Sequence, residues 1–178
     1  MGIRNYLVEG LSGTGKTAVC DELLRRGCHA VHGDRELAYV GDPETGEPLD
    51  VPAHEHHVWD VAKVRALAAD TARPATFFCG GSRNSAAFSS LFDAVFVLHV
   101  DIETLDRRLD ERPDGEWGDG GPVHRERIRR WHGTGQDVPE NGIRIDATAP
   151  IARVVDDILE QIEARVRARQ GSNLRPSA

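Results

Sequence analysis

The strongest constraint on this chain is the glycine-rich stretch G-L-S-G-T-G-K-T at residues 10–17. It matches the pattern G-x-x-x-x-G-K-[S/T], with an apolar run at residues 6–8 before it and a helix-like segment after it. Glycines let a backbone curl closely around a polyphosphate, and the helix that follows presents its N-terminal N–H groups to the anion. The sequence therefore predicts a strand, a phosphate-binding loop and a helix in succession.

Every position of this loop is a predicted nucleotide contact: Gly10, Leu11, Ser12, Gly13, Thr14, Gly15, Lys16 and Thr17. Lys16 supplies a cation for the β- and γ-phosphates, and the Thr17 hydroxyl is placed to ligate Mg²⁺. The alternative is a glycine-rich turn with no ligand. The complete motif, together with its flanking strand and helix, favours phosphate binding.

The composition indicates one soluble domain. A chain of 178 residues is long enough for one well-buried domain and too short for two, so we predict a domain at residues 1–170 and a frayed tail at residues 171–178. No run approaches the roughly 18 apolar residues of a membrane span, and the first strand leaves no room for a signal peptide. The net charge of −7 argues against non-specific nucleic-acid binding. Three irregularly spaced cysteines favour a reducing cytoplasm.

Strands and helices alternate along the chain. Strands are predicted at residues 3–9, 28–32, 75–79, 94–100 and 142–146, and helices at 16–26, 55–71, 102–112, 123–131 and from 150 onwards. This alternation predicts parallel pairing through right-handed crossovers, with helices on both faces of the sheet. Ligands of such sheets bind at the carboxyl ends of the strands. Several candidate groups directly follow predicted strands: the phosphate loop, Asp34, Gly80-Gly81, Asp101 and Asp146. We therefore expect them to meet at one edge of the sheet and form a single site.

Residues 113–122 contain four glycines and two prolines around Trp117, which is typical of a mobile lid. Arginines concentrate on both sides of this segment, at positions 107, 108, 112, 125, 127, 129 and 130. A local basic cluster in an acidic protein indicates a small anionic ligand. The alternative for Arg125, Arg129 and Arg130 is a solvated helix face.

The order of these parts resembles the small P-loop kinases, which include the shikimate, gluconate and nucleoside monophosphate kinases. The resemblance extends over nearly the whole chain and is most specific in the phosphate loop. The glycine turn at 80–81, the R-R-L-x-x-R-P run at 107–113 and the I-D-A-T-A-P run at 145–150 add moderate support. It implies a three-layer α/β fold with a five-stranded parallel sheet and a small lid. It also implies transfer of the γ-phosphoryl group of ATP, with Mg²⁺.

The resemblance assigns catalytic roles to Lys16, Asp34 and Arg112. Asp34 follows the second strand, where hydroxyl-phosphorylating members place an acidic residue that orients the acceptor hydroxyl and receives its proton. The alternative is that Asp34 only caps a short helix. Shikimate kinases carry a second aspartate two positions earlier, where this chain has His32, so the carboxylate expected to help hold magnesium is missing.

The same resemblance assigns acceptor and adenine contacts. Arg83 matches in place an arginine that binds the acceptor in nucleotide kinases, although a solvated loop arginine is the alternative. The predicted acceptor-binding residues are Asp34, Arg35, Gly80, Gly81 and Arg83. Arg108 is predicted to lie over the adenine. Thr148 and Pro150 resemble the loop that lines the adenine pocket, or form an ordinary helix start.

Two further features invite a metal interpretation. The histidines His54, His56 and His57 lack the H-E-x-x-H spacing of a zinc hydrolase, so a polar loop beside the acceptor pocket is favoured. Asp101 is either a distant magnesium ligand or, more in keeping with its place before a helix, an N-cap.

The identity of the phosphoryl acceptor stays open, because the chain departs from each named relative at the residues expected to bind the acceptor. W-H-G-T-G-Q at residues 131–136 replaces the arginine, proline and tyrosine of shikimate kinases, and the His-Pro and Lys-Met segments of gluconate kinases are missing after Asp34. We predict an ATP-dependent kinase acting on a hydroxyl of a nucleoside, sugar or similar metabolite, as a monomer or homodimer. The alternatives are a nucleoside monophosphate kinase and a non-catalytic nucleotide-binding regulator.

Overall fold

The computed structural model describes residues 4–51, 55–111, 121–134, 139 and 141–172. In chain order the elements are β1 (Arg4–Gly10), α1 (Lys16–Arg25), β2 (His29–His32), α2 (Gly33–Glu36), β3 (Ala38–Val40), β4 (His57–Trp59), α3 (Val61–Ala68), β5 (Ala75–Cys79), β6 (Ala94–His99), α4 (Ile102–Asp110), α5 (Gly121–Thr134), β7 (Ile143–Asp146) and α6 (Ile151–Ser172). Two single-turn 3₁₀ helices, Ser85–Ala87 and Ser89–Leu91, follow β5.

Five of the strands form one parallel sheet in the order β2-β5-β1-β6-β7, and β3 and β4 form a separate antiparallel hairpin. The predicted five-stranded parallel sheet is therefore confirmed. β1 lies at its centre, with Val8 beside Cys79 of β5 and Phe96 of β6. All five strands end at the same edge, so the loops after β1, β2 and β5 meet there.

The sheet separates two hydrophobic clusters, because successive strand residues point to opposite faces. Tyr6 and Val8 pack on one face against Leu23 of α1 and Ile158 of α6. Leu7 packs on the other face with Trp59, Phe78, Phe88 and Val64 of α3. The result is the three-layer α/β arrangement that the sequence predicts.

Local signals explain where several helices begin and end. Asp101 caps α4 by accepting a hydrogen bond from the Thr104 N–H at 2.6 Å. Gly27, with φ of 81°, follows α1, and its N–H donates to the Leu24 carbonyl at 2.9 Å. The capping prediction for Asp101 is thus confirmed.

The predicted helix at residues 55–71 is wrong in its first part. Residues 57–59 form β4, which pairs with β3 so that Val58 lies opposite Tyr39. The helix begins only at Val61, because Asp60 caps it by accepting the Lys63 N–H at 3.1 Å. Val58 and Trp59 are fully buried in the strand, so the apolar character of this segment comes from strand packing.

The C-terminal helix α6 extends to Ser172, and residues 173–178 lie outside the described part of the chain. The predicted lid also lies mostly outside it, since α5 begins only at Gly121. The division into a domain and a tail therefore stays a prediction. Within the described residues, no helix combines the length and apolar character needed to cross a membrane.

Trp59 is the central side chain of the second cluster. It stacks on Phe88 with a centroid distance of 5.7 Å and an interplanar angle of 5°. The backbone N–H and C=O of Trp59 are both held by the buried side-chain amide of Asn84, at 3.0 and 2.9 Å. The hairpin is thereby attached to the segment that follows β5.

We predict that Phe88→Ala lowers the free energy of unfolding by about 3–5 kcal/mol, because it removes a fully buried ring and leaves a cavity beside Trp59. Phe88→Leu, which retains most of the volume, should cost only about 1 kcal/mol. Urea unfolding followed by circular dichroism measures both values. Equal losses for the two variants would contradict the packing role of the ring.

Candidate functional site

The loop between β1 and α1 has the backbone that close approach to phosphate requires. Gly10 has φ of 152°, and a Cβ there would lie 2.7 Å from both the Leu98 carbonyl oxygen and the Thr14 hydroxyl. Gly15, at the N-terminus of α1, has φ of 106°. Side chains other than hydrogen are disfavoured at both positions, so the backbone of the loop stays open to close approach at the N-terminus of α1.

Lys16 lies across this loop. Its ammonium group donates hydrogen bonds to the carbonyl oxygens of Gly10 at 2.7 Å and Leu11 at 3.1 Å. The Thr14 hydroxyl donates to the same Leu11 oxygen at 2.8 Å and tightens the turn. Thr17 follows Lys16 in the first turn of α1 and is exposed, as a ligand for an external cation must be. This set of groups fits a triphosphate with Mg²⁺.

Arg108 of α4 joins the phosphate loop to the loop after β7. Its guanidinium donates to the Thr14 carbonyl at 3.0 Å and to the Ala147 carbonyl at 2.8 Å. Burial lowers the pKa of Arg108. Arg108 is thus a bridge between two backbone segments, and one of them contains Ala147, which precedes the predicted residue Thr148.

The remaining predicted adenine contacts begin the last helix. Thr148 donates to the Asp146 carboxylate through its backbone N–H at 2.9 Å and its hydroxyl at 2.6 Å. Pro150 directly precedes α6, and its carbonyl accepts the Arg153 N–H at 2.8 Å. Both residues therefore form an ordered turn. Arg112, the predicted catalytic arginine, lies outside the described residues.

Two arginines of α5 have acidic partners on α4. Arg129 forms an ion pair with Asp106 of α4, and Arg125 with Asp110 of the same helix. These pairs hold α5 against α4. Their charges are therefore partly compensated within the protein, which agrees with the alternative that they form a helix surface.

A cleft of about 140 Å³ opens directly beside the phosphate loop. It is lined by Glu9, Gly10, Lys16, Asp34, His57, Gly81, Ser82 and Arg83. Lys16 and Gly10 belong both to this cleft and to the phosphate loop. A molecule in the cleft would therefore lie next to the end of a polyphosphate in the loop.

Asp34 is held in place from two sides. Its Oδ1 atom accepts a hydrogen bond from the Gly81 N–H at 3.1 Å and lies 3.2 Å from Nε2 of His57. Burial opposes ionisation, but the bond from His57, the charge of Lys16 and the Gly81 amide outweigh it and hold the pKa of Asp34 below its usual value. Asp34 lies within α2, whose N-cap position is His32. Its carboxylate is therefore directed to the cleft and not to helix capping.

Glu9 is the main residue of the cleft that the sequence did not predict as part of the site; the sequence indicated only that it ends a strand. Its side chain is 7% exposed, and its Oε2 atom has no hydrogen-bond partner among the described residues. Burial raises its pKa to about 7, and the charge of Asp34 adds to this, while Lys16 and Arg83 oppose it. The signal in the sequence was a charged residue between the apolar run at residues 6–8 and the glycine loop.

The two predicted acceptor arginines differ in position. Arg83 is solvent-exposed and lines the cleft, and its guanidinium carbon lies 5.5 Å from the ring centroid of Trp131. Arg35 is exposed on α2 and does not belong to the described lining of the cleft. The structure therefore groups Arg83 with Asp34 and Gly81, and leaves Arg35 outside.

The histidine segment is only partly described, because His54 lies outside the described residues. His57 contacts Asp34, whereas Nδ1 of His56 is buried without a hydrogen-bond partner in the part of the chain that is described. No group of three or more His, Cys, Asp or Glu side chains within that part is arranged to hold a metal ion.

Comparison with solved structures shows a shared fold. A sugar kinase from a Janibacter species is 18% identical, with 91% of this chain and 95% of that chain covered and a TM-score of 0.56. A gluconokinase from Sinorhizobium meliloti is also 18% identical, with 97% and 98% covered and a TM-score of 0.56. A shikimate kinase from Aquifex aeolicus is 17% identical, with 91% and 98% covered and a TM-score of 0.50.

These likenesses show that the chain has the fold of the P-loop small-molecule kinases. No protein-family model matches the chain, and no curated protein matches it. The fold and the position of the loop thus agree with the resemblance drawn from the sequence. Identities this low leave activity and substrate to be argued from the site itself.

Gly80 makes room for the Asp34 carboxylate. It has φ of 154°, and a Cβ there would lie 2.5 Å from Asp34 Oδ1 and 2.6 Å from the Trp59 ring. We predict that Gly80→Ala displaces Asp34 from the Gly81 N–H and lowers the free energy of unfolding by about 1–3 kcal/mol. A crystal structure and urea unfolding test this. Gly133→Ala, where a Cβ meets nothing within 4 Å, is the control. An unmoved Asp34 would contradict the prediction.

The raised pKa of Glu9 predicts a pH-dependent stability. Its pKa in the folded chain, about 7, exceeds the ordinary 4.5, so its contribution is complete below pH 4.5 and is lost as the pH rises through 7. The loss amounts to about 3 kcal/mol. Urea unfolding at pH 5 and pH 8 should show most of this loss in the wild type and none of it in Glu9→Gln. Asp93→Asn, at the opposite edge of the sheet, should retain it. Parallel losses in wild type and Glu9→Gln would disprove the burial argument.

Proposed function

We propose that this protein is an ATP-dependent kinase that transfers the γ-phosphoryl group to a hydroxyl of a small metabolite, such as a nucleoside or a sugar. The observation that carries the proposal is the continuity of the two halves of the site. Lys16 contacts the phosphate loop and also lines the cleft that contains Asp34. The phosphoryl donor and the acceptor would therefore both lie beside the ammonium group of Lys16.

The phosphate loop would bind the donor. Its backbone N–H groups and the N-terminus of α1 would contact the β- and γ-phosphates, and the Thr17 hydroxyl would be a ligand of Mg²⁺. Bound Mg²⁺ would neutralise charge on the phosphates. Lys16 would exchange its bonds to the Gly10 and Leu11 carbonyls for bonds to phosphate oxygens, and would follow the charge during transfer.

The cleft would bind the acceptor. Asp34 is ionised at neutral pH, because its pKa lies below the usual value, so it accepts hydrogen bonds and donates none. We assign it to the acceptor hydroxyl, which it would orient toward the γ-phosphorus. Gly80, Gly81 and Arg83 complete this side, and Arg112 is proposed to reach the transferring group from the lid. A closed lid would exclude water and limit ATP hydrolysis.

One observation favours a nucleoside monophosphate kinase as the second candidate. Arg83 lines the cleft, and its planar guanidinium suits a phosphate or carboxylate of the acceptor. Such an acceptor would need further cations, and Arg35 lies outside the described lining of the cleft. We therefore place the hydroxyl acceptor first.

We also propose that the protein works in the cytoplasm. Its cysteines, Cys20, Cys28 and Cys79, are free, and Cys20 and Cys79 are buried. Free thiols persist in a reducing compartment. Thiol titration after purification under reducing and non-reducing conditions tests this. Recovery of a disulfide-linked form as the native state would contradict it.

The test of the kinase is ADP release from Mg-ATP in the presence of adenosine, thymidine, glucose, ribose, gluconate or AMP. We expect one hydroxyl compound to stimulate release strongly. Lys16→Ala should lower the stimulated rate by about 10²-fold or more, since it removes a charge that stabilises the transition state. Asp34→Asn should also lower it, by weakening the orientation of the hydroxyl.

Lys63→Ala provides the matched control, because this other lysine of the chain is exposed on α3 and pairs only weakly with Asp60, at 3.9 Å. It should leave the rate unchanged. Stimulation by AMP alone would indicate a nucleoside monophosphate kinase instead. ATP binding without stimulation by any compound would support the non-catalytic regulator and contradict the proposal.

A further inference from the structure

Glu9 is a buried acidic group at the reacting end of the site to which neither the fold nor the sequence motifs give a role. It precedes Gly10 at the carboxyl end of the central strand, and it lines the cleft together with Lys16 and Asp34. Its Oε2 atom lacks a hydrogen-bond partner among the described residues. A buried carboxyl oxygen without a partner is costly, so its retention at this point calls for a ligand that supplies one.

Both carboxyl groups lie close to Gly81. The Gly81 N–H donates to Asp34 at 3.1 Å, while a Cβ on Gly81 would lie 3.5 Å from Oε1 of Glu9. Glu9, Asp34 and Gly81 all line the same cleft, and Gly81 has no side chain to fill the space beside the two carboxyl groups. A hydroxyl group placed there would have one carboxyl group to orient it and another to receive its proton.

Resting on the proposed kinase function, we propose that Glu9 is the residue that takes the proton from the acceptor, and that the acceptor group is an alcohol hydroxyl. Asp34 is then the carboxylate that orients this hydroxyl. The acceptor oxygen forms a bond to the γ-phosphorus while the bond from that phosphorus to the bridging oxygen breaks, and ADP leaves with the electron pair. The hydroxyl proton passes to Oε2 of Glu9 and then to solvent.

The environments of the two carboxyl groups support this division. Asp34 is stabilised as an anion by His57, Lys16 and the Gly81 amide, so it is a weak base at neutral pH. Glu9 faces Lys16 of α1, Asp34 of α2 and Arg83 after β5, but its burial dominates and its pKa is raised to about 7. A general base is most effective when its pKa lies near the working pH.

The same reasoning selects the chemical class of the acceptor. A phosphate group, with its second pKa near 6, is already largely ionised at neutral pH and has no proton that a base must remove. An alcohol must lose its proton as the new bond forms. Two carboxyl groups at the reacting centre also disfavour an anion at that point. The pair therefore fits a neutral alcohol such as a nucleoside or sugar.

The experiment measures kcat/KM against pH for wild type, Glu9→Gln, Glu9→Asp and Asp34→Asn, with Mg-ATP and each of adenosine, thymidine, glucose, ribose, gluconate and AMP. Slow ADP release to water, without an acceptor, is measured in parallel. In the wild type the rate should rise with pH and level off above about pH 7. Glu9→Gln should lose this rise and about 10²-fold or more of the rate at pH 8.

Two further results separate a proton acceptor from a merely structural residue. Asp34→Asn should keep the rise and move it to lower pH, because the negative charge of Asp34 contributes to the raised pKa of Glu9. Glu9→Asp should recover part of the rate and the pH dependence. The dissociation constant for Mg-ATP, measured by calorimetry, should be unchanged in Glu9→Gln, which shows that the phosphate loop is intact.

The outcomes distinguish this inference from the kinase proposal. Acceptor-stimulated turnover with the same pH profile in wild type and Glu9→Gln would overturn the role of Glu9 and leave the kinase intact. ATP hydrolysis without stimulation by any acceptor would contradict the metabolite kinase. A comparison of the pH profiles of hydrolysis in wild type and Glu9→Gln would still decide the role of Glu9. Stimulation by AMP alone would overturn the alcohol class. No ADP release under any condition would overturn both proposals.

Discussion

The rest of the structure depends on the parallel pairing of β1 between β5 and β6. Val8 lies opposite Cys79 on one side and Phe96 on the other, so Glu9 and Gly10 end beside the glycine turn that follows β5. The same register brings β2, and with it Asp34, next to β5. A shift of one residue would reverse every side chain of β1 and remove Glu9 from the cleft. The register of the sheet therefore determines the geometry of the site.

At the carboxyl edge of this sheet, features that cost stability are concentrated. Glu9 is buried with an oxygen that lacks a partner in the described structure, and Gly10 and Gly80 have backbone conformations that other residues rarely adopt. Away from this edge the chain follows ordinary packing rules, as in the alternation of Tyr6, Leu7 and Val8 between two clusters. Local departures of this kind are typical of functional sites.

Much of the fold could be predicted from the sequence because local signals and tertiary packing agree. Apolar runs bounded by turn residues became strands, and Asp101 caps α4 as expected. Only the first part of the helix predicted at residues 55–71 was wrong, because Val58 satisfies both a helical and a strand pattern, and only pairing with β3 decides between them. Glu9 was missed because its burial and the approach of Gly81 arise from strand pairing, which a linear pattern does not contain. Arg112 and the lid stay predictions.

The central claim is that the phosphate loop and the cleft form one site. It is tested most directly by a crystal structure with Mg²⁺ and a non-hydrolysable ATP analogue. The account predicts that the terminal phosphate contacts Lys16 and faces the cleft, about 6 Å or less from the carboxyl oxygens of Glu9 and Asp34. That distance corresponds to one attack distance plus one hydrogen bond. A terminal phosphate directed away from the cleft, or not in contact with Lys16, would contradict the account.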